Sequence, residues 1–246
     1  MLKFNGENME NKESIENIDL KALLDMRSQI YFTLSRVFAK EVDKEFLEQI
    51  TNNREVLKDI ALSSGDEAFI VGANKLGKFL DNLENKSVDL CIEELACNFA
   101  MLFLNAAANT EIKHIYPYAS VYLSENHLLY QKETEDVIKF YAENKIAQKE
   151  DFKEPEDHIA VELNFIALLT DGASKALRNN DATTAIDKLK VTKKFMEKHL
   201  LPWVHRFCID LREAATDDFY SSFADITLGF IRTDYNSFDA LFELLQ

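Results

Sequence analysis

Six glycines and three prolines are all the backbone punctuation that 246 residues possess. Turns between strands draw heavily on both, glycine for positive φ and proline for a fixed one. A sheet-rich chain of this length would need many such turns, so the composition argues against β structure and for long helices with few connections. No stretch shows convincing apolar–polar alternation, and neither an internal repeat nor a low-complexity tract appears. The predicted class is all-α: a single-domain bundle of about ten helices over 17–246, behind a polar, flexible tail over 1–16.

Apolar spacing places the helices. Leu23, Leu24, Ile30, Leu34 and Val37 recur at three- and four-residue steps, predicting a helix over about 20–38. Asp43 is placed to cap a short second helix carrying Phe46, Leu47 and Ile50, with further helices over about 54–62 and 66–83. Ser87 suits the N-cap of a helix through Leu90, Leu95, Phe99, Leu102 and Phe103. From Asn105 to Leu123 the periodicity fails, giving the longest irregular connection of the ordered body. Such connections often carry function, and a plain crossover between two halves is the alternative. Helix resumes over about 126–143, and the charged run 149–153 links it to a helix that begins at Pro155 and ends near Gly172, read as its C-cap. Asp181 caps the next helix, Pro202 opens one carrying Trp203, Phe207 and Leu211, and two last helices cover about 218–231 and 236–245.

Forty-three acidic side chains against 28 basic ones leave a formal net charge of −15. That charge repels nucleic acid and anionic membranes and attracts a cationic partner; solubility is its plainer use. Cys91, Cys97 and Cys208 are too few for a disulfide framework, and no CxxC pair offers a thiolate zinc site. Met1 to Asn8 lack the apolar core of a secretory signal. The longest uncharged stretch, Leu95 to Thr110, contains three asparagines and is too short to span a bilayer. A cytoplasmic protein with no stable membrane insertion is expected.

The most informative polar stretch is Glu154-Pro155-Glu156-Asp157-His158, followed by Ile159, Leu163, Ile166 and Ala167 at helical spacing. A proline in the first turn with acids around it suits a helix N-terminus, where free N–H groups favour negative charge. Asp157 and His158 are thus expected in the opening turn of a packed helix, with His158 on the face of Glu162, Phe165 and Leu169. That is either a polar spot at the lip of an apolar groove or an ordinary helix-start acid with a histidine bonded to a neighbour. Metal chemistry finds no ligand set. Pro155 stands three residues before His158, where Glu-x-x-His needs glutamate; no His-Glu-x-x-His occurs, and His199 and His205 fall on different faces. Without a phosphate loop or a nucleophile elbow, enzymatic activity is not expected. Trp203, the single tryptophan, anchors either the core or a binding surface. Tyr116, Tyr118 and Tyr122 suit either peptide recognition or packing of the long connection.

Four strings, in order and at matching spacing, resemble the TorD/DmsD/NarJ family of cytoplasmic chaperones for molybdenum-containing redox enzymes. They are the Leu102-Phe103 pair preceded by Phe99; Pro117-Tyr118-Ala119-Ser120-Val121-Tyr122-Leu123; Glu154 to His158 with its helix through Phe165; and His199-Leu200-Leu201-Pro202-Trp203 with Phe207. The likeness is clear over about 95–230 and weak before it. It implies an all-helical fold with no catalysed reaction and no cofactor beyond weak guanine-nucleotide binding. It implies as partners a twin-arginine signal peptide and the apo-form of a molybdoenzyme catalytic subunit, shielded until its cofactor is inserted.

By position, Asp157 and His158 match the signal-recognition pair, Pro155 and Glu154 stand beside them, and Phe99, Tyr118 and Trp203 complete the implied signal-peptide-binding set. Phe99 stands where some members carry tryptophan. The family is monomeric or forms helix-swapped homodimers, with 105–118 as the expected hinge. Two alternatives remain: NarJ-type assembly of a membrane-bound reductase subunit, and a helical nucleotide hydrolase with Asp157 and His158 as acid and base. The leading reading requires an open trough beside the Asp157–His158 pair, wide enough for a peptide.

Overall fold

The computed structural model describes residues 7–83, 87–104, 106, 114–145 and 154–245, with side chains from Leu20 onward. The helices are α1 (Glu7–Ala39), α2 (Lys44–Ser64), α3 (Glu67–Leu83), α4 (Val88–Phe103), α5 (Ala119–Leu123), α6 (Lys132–Glu143), α7 (Ile159–Arg178), α8 (Ala182–Phe195), α9 (Leu201–Ala214), α10 (Asp218–Asn236) and α11 (Phe238–Leu244), with a π-helical segment, Met196–Leu200, between α8 and α9. Among the described residues no strand forms, only one antiparallel bridge between Tyr118 and His158. The fold is the all-α bundle that the scarcity of glycine and proline predicts.

Two helix pairs organise the core: α1 lies along α7, and α3 along α10. The expected stripe on α7 is buried, with Ile159, Leu163, Ile166 and Ala167 inaccessible to solvent, facing a core that includes Leu24, Tyr31 and Leu34 of α1. Burial continues round most of α7, as befits a helix enclosed by others. The α3–α10 pair is close enough for backbones to touch. A Cβ on Gly229 would stand 2.4 Å from the Phe69 nitrogen, and one on Gly72 would stand 2.7 Å from the Ile226 nitrogen. A buried ion pair ties α1 to the end of α10: Arg27 Nε meets Asp234 at 2.5 Å, and the Tyr31 hydroxyl donates to the same carboxylate at 2.8 Å.

Caps agree at two expected positions. Asp43 accepts the Phe46 N–H and Asp181 the Thr184 N–H, each at 2.9 Å. Ser87 occupies the N-cap position of α4, but its side chain makes no cap bond.

Elsewhere boundaries differ. α1 starts at Glu7, ahead of the apolar periodicity; residues 1–6 of the expected tail lie outside the described residues. α2 is one helix where the sequence pattern predicts two, because the polar Asn52 and Asn53 simply face water; Gly65, at φ 68°, ends it. α6 begins at Lys132 rather than near 126, since residues 124–131 form an irregular turn. α7 begins after Pro155, not at it, because a turn closed by His158 N–H to the Pro155 carbonyl intervenes. It runs through Gly172 to Arg178, so Gly172 is not a C-cap. α8 and α9 join through the π segment instead of breaking. Pro202 lies in the first turn of α9, and the widened turn before it accommodates a residue with no N–H to give. Residue 105, the run 107–113 within the expected hinge and the expected linker 149–153 lie outside the described residues. No described helix is long and apolar enough to cross a membrane.

Candidate functional site

His158 is the N-cap of α7. Its backbone is extended, and its Nδ1 accepts the Ala160 N–H at 3.0 Å. A ring nitrogen that accepts from a backbone N–H carries no proton, so the imidazole is neutral. Burial enforces the same state, pushing the pKa down to about 3.

Asp157 serves a different helix. Its carbonyl takes the Ala119 N–H at 3.0 Å and its Oδ2 takes the Ser120 N–H at 2.8 Å, while the Ile159 N–H returns to the Pro117 carbonyl at 2.8 Å. Asp157 therefore caps α5 from 37 residues away in sequence. Five residues are too few to hold a helix by propensity alone, so α5 depends on this docking. Tyr118 closes the outer side. Its ring stands edge-on to His158 at 5.0 Å, and its hydroxyl donates to Glu154 at 2.7 Å. Burial first, and that carboxylate second, hold the phenol well above its usual pKa.

One turn into α7, Glu162 is completely buried and accepts the Trp203 indole N–H at 3.1 Å. Burial, and then the nearby charge of Asp157, hold its carboxyl well above the usual carboxylate range. Three buried oxygens of this junction, on Ser120 (Oγ), Asp157 (Oδ1) and Glu162 (Oε1), have no hydrogen-bond partner among the described residues. Aromatic contacts extend the junction inward. Tyr122 meets Trp203 at 5.5 Å, Trp203 meets Phe207 at 5.6 Å and Phe207 meets Phe38 at 5.4 Å; Phe38 then reaches Phe103, and Phe103 reaches Phe99 at 5.1 Å. All four sequence strings thus fold into one connected body of side chains.

The structure corrects the picture of an open lip. Asp157 is 0 % exposed, His158 4 %, Trp203 1 % and Phe99 5 %, and Pro155 is buried too. Of the seven residues expected to contact a peptide, only Tyr118 and Glu154 are partly accessible. The physical reason is the bridge: residues 117–120 fold across the start of α7 and take up the backbone and side chain of Asp157. Neither of two clefts that open on this side of the molecule and on the α1–α2 face is lined by Asp157 or His158. A cleft of about 190 Å³ lies nearby, between Tyr116, Tyr122, His127, Arg206 and Asp210. A larger apolar one, about 310 Å³, opens between α1, α2 and α10 around Met26, Ile30, Leu57 and Phe223, and none of its residues belongs to the four strings.

The acid–base role weighed for the pair does not suit this geometry: both side chains are buried, and His158 Nδ1 and Asp157 Oδ2 are each engaged by a backbone N–H. Among the described residues no group of three or more histidine, cysteine, aspartate or glutamate side chains is arranged to hold a metal ion. The sequence shows the spacing of Glu162 from His158, but not its indole partner Trp203, 41 residues away.

The chain's relatives agree with the strings. A family model described as the nitrate reductase delta subunit matches residues 67–209, which include all four of them. The chain is 31% identical over 219 residues to the chaperone protein TorD of Vibrio atlanticus, covering 88% of this chain and 96% of the relative. To the chaperone protein TorD of Vibrio cholerae it is 28% identical over 225 residues, covering 92% and 97%. To that of Shewanella pealeana it is 26% identical over 227 residues, covering 89% and 92%.

Proposed function

Because the chain belongs to the TorD/NarJ family of maturation chaperones, we propose that it binds the twin-arginine signal peptide and the immature, cofactor-free form of a molybdenum-containing oxidoreductase, assisting cofactor insertion and preventing premature export. The observation that carries this reading is the convergence of the four strings on one junction in a molecule of net charge −15. Guanidinium groups pair with carboxylates through charge-assisted, often bidentate bonds. Glu154, at the accessible edge of the junction, supplies such a carboxylate. Because the pair is buried, a peptide has to be met at the Tyr118–Glu154 edge and not in a trough beside the pair; Asp157 and His158 are positioning residues in this account. They hold the Tyr118–Glu154 edge in place from beneath and do not themselves face the peptide.

A chaperone must release its client, so affinity on the order of micromolar is expected rather than picomolar. Isothermal titration of the full chain with twin-arginine leaders of candidate molybdoenzymes tests the reading. Saturable binding that weakens when both arginines become glutamine supports it; heat at the level of dilution for every leader contradicts it. The match to a nitrate reductase delta subunit favours a second reading, assembly of a membrane-bound reductase subunit whose N-terminus is not exported. The same titration with such an N-terminus, binding where the leaders do not, selects that reading.

A further inference from the structure

Residues 124–131, expected to begin a helix, instead hold apolar side chains out in water. Leu128 is 58 % exposed and Tyr130 68 %, with Leu129 between them and Leu123 beside them also exposed. The backbone that presents them is strained. His127 and Tyr130 sit at φ 52° and 57°, a left-handed conformation that costs residues with a Cβ about 1 kcal/mol or more. Local bonds hold it there: the His127 Nδ1–H donates to the Val121 carbonyl at 2.8 Å, and the Gln131 amide to the Leu129 carbonyl at 2.9 Å. Unfavourable backbone combined with clustered exposed leucine and tyrosine makes this turn a candidate contact surface.

Charge indicates what the surface meets. Glu125 lies within the turn, Glu133 and Glu135 open α6, and Glu154 is bonded to Tyr118, which immediately precedes the five-residue α5 that leads into the turn. Against these stand Lys132 and, across the cleft from His127, Arg206 beside Asp210. An apolar face with an acidic border fits an apolar segment attached to cationic residues. Resting on the leader-binding reading above, we propose that Leu123, Leu128, Leu129 and Tyr130, with the Tyr118–Glu154 pair at their edge, form the docking surface for the apolar stretch that follows the arginine pair of a client leader. The arginines lie toward Glu154, and the apolar stretch covers the turn.

The test is fluorescence anisotropy of the full chain with two labelled peptides. One carries two arginines followed by a leucine-rich stretch on the order of ten residues. The other replaces those leucines by serine at the same charge. The combined Leu128→Ser/Leu129→Ser variant, and separately Tyr130→Ser, are compared with Leu168→Ser, which alters an exposed leucine on α7; helical content is checked by circular dichroism. The expected result is a loss of about tenfold or more in affinity for the leucine peptide with either turn variant, none with Leu168→Ser, and equal, weak binding of the serine peptide by all. Unchanged affinity in the turn variants, with the unaltered chain binding, overturns the docking surface and leaves the leader-binding reading standing. Failure of the unaltered chain to bind the leucine peptide overturns both. Sedimentation velocity on the same samples reads the remaining occupant: if the unaltered chain dimerises and the turn variants do not, while peptide affinity is equal, a second copy covers this face and the proposal falls.

Discussion

A histidine that accepts a backbone N–H in the interior must remain neutral, and this ties the stability of the molecule to pH. Unfolded, a histidine titrates near 6.5; folded, His158 is held at about 3. A depressed folded pKa gives stability that is present above the unfolded value and lost as pH falls through the folded one. Between those limits unfolding takes up a proton at this residue, worth up to about 1.4 kcal/mol per pH unit. Urea unfolding followed by Trp203 fluorescence from pH 7 to pH 4 is expected to show that slope, and His158→Asn, which can cap without titrating, to remove its share. Glu162 carries the opposite sign. Its raised folded pKa gives stability that is complete below the unfolded value and lost as pH rises, so Glu162→Gln is expected to gain stability relative to the unaltered chain toward neutral pH. Gln keeps an acceptor for the Trp203 indole. Asp157→Ala strips the Ser120 N–H of its buried acceptor and is expected to cost about 1–3 kcal/mol, measured by the same unfolding. The pair itself was legible in the sequence as a polar dyad before an apolar helix. Its burial was not, because nothing along the chain announces that residues 117–120 fold across it.

At the scale of elements, the tightest constraint is the backbone contact of α3 with α10. Gly229→Ala would place a methyl 2.4 Å from the Phe69 nitrogen, and backbone cannot yield as a flexible side chain can. A loss of about 1–3 kcal/mol is expected by thermal or urea unfolding, with little change in helical content below the transition. Asp234→Ala, which leaves Arg27 charged and unpaired in the interior, is expected to cost more, about 3–5 kcal/mol. Sequence pattern located α8 well, because Asp181 caps it; the apolar stripe revealed α7 but not its ends. The misplaced boundaries share one cause: a helix end is set by its contacts. Gly172 lies within α7, with the Lys188 stem of α8 packed close to it, and Pro202 is absorbed by a π turn that periodicity cannot show. α6 starts at Lys132 and not near 126 because residues 124–131 form an irregular turn that leaves Leu128 and Leu129 in water.

For the whole molecule, a charge of −15 chiefly affects the encounter. Association with a cationic leader is expected to slow as salt rises, while dissociation, governed by apolar contacts, changes little; stopped-flow measurements at low and physiological ionic strength separate the two. The scarcity of glycine and proline made the helical class plain from the start, and the four strings pointed to the family. How the strings meet depended on contacts between segments far apart in the chain. The most direct test of the central claim is capture of the tagged full chain from its native cells, with the partner identified by mass spectrometry and its molybdenum content measured. The account predicts a molybdenum-dependent oxidoreductase subunit, uncleaved at its leader and empty of cofactor. Recovery of no such enzyme, or only of the cofactor-loaded form, would contradict it.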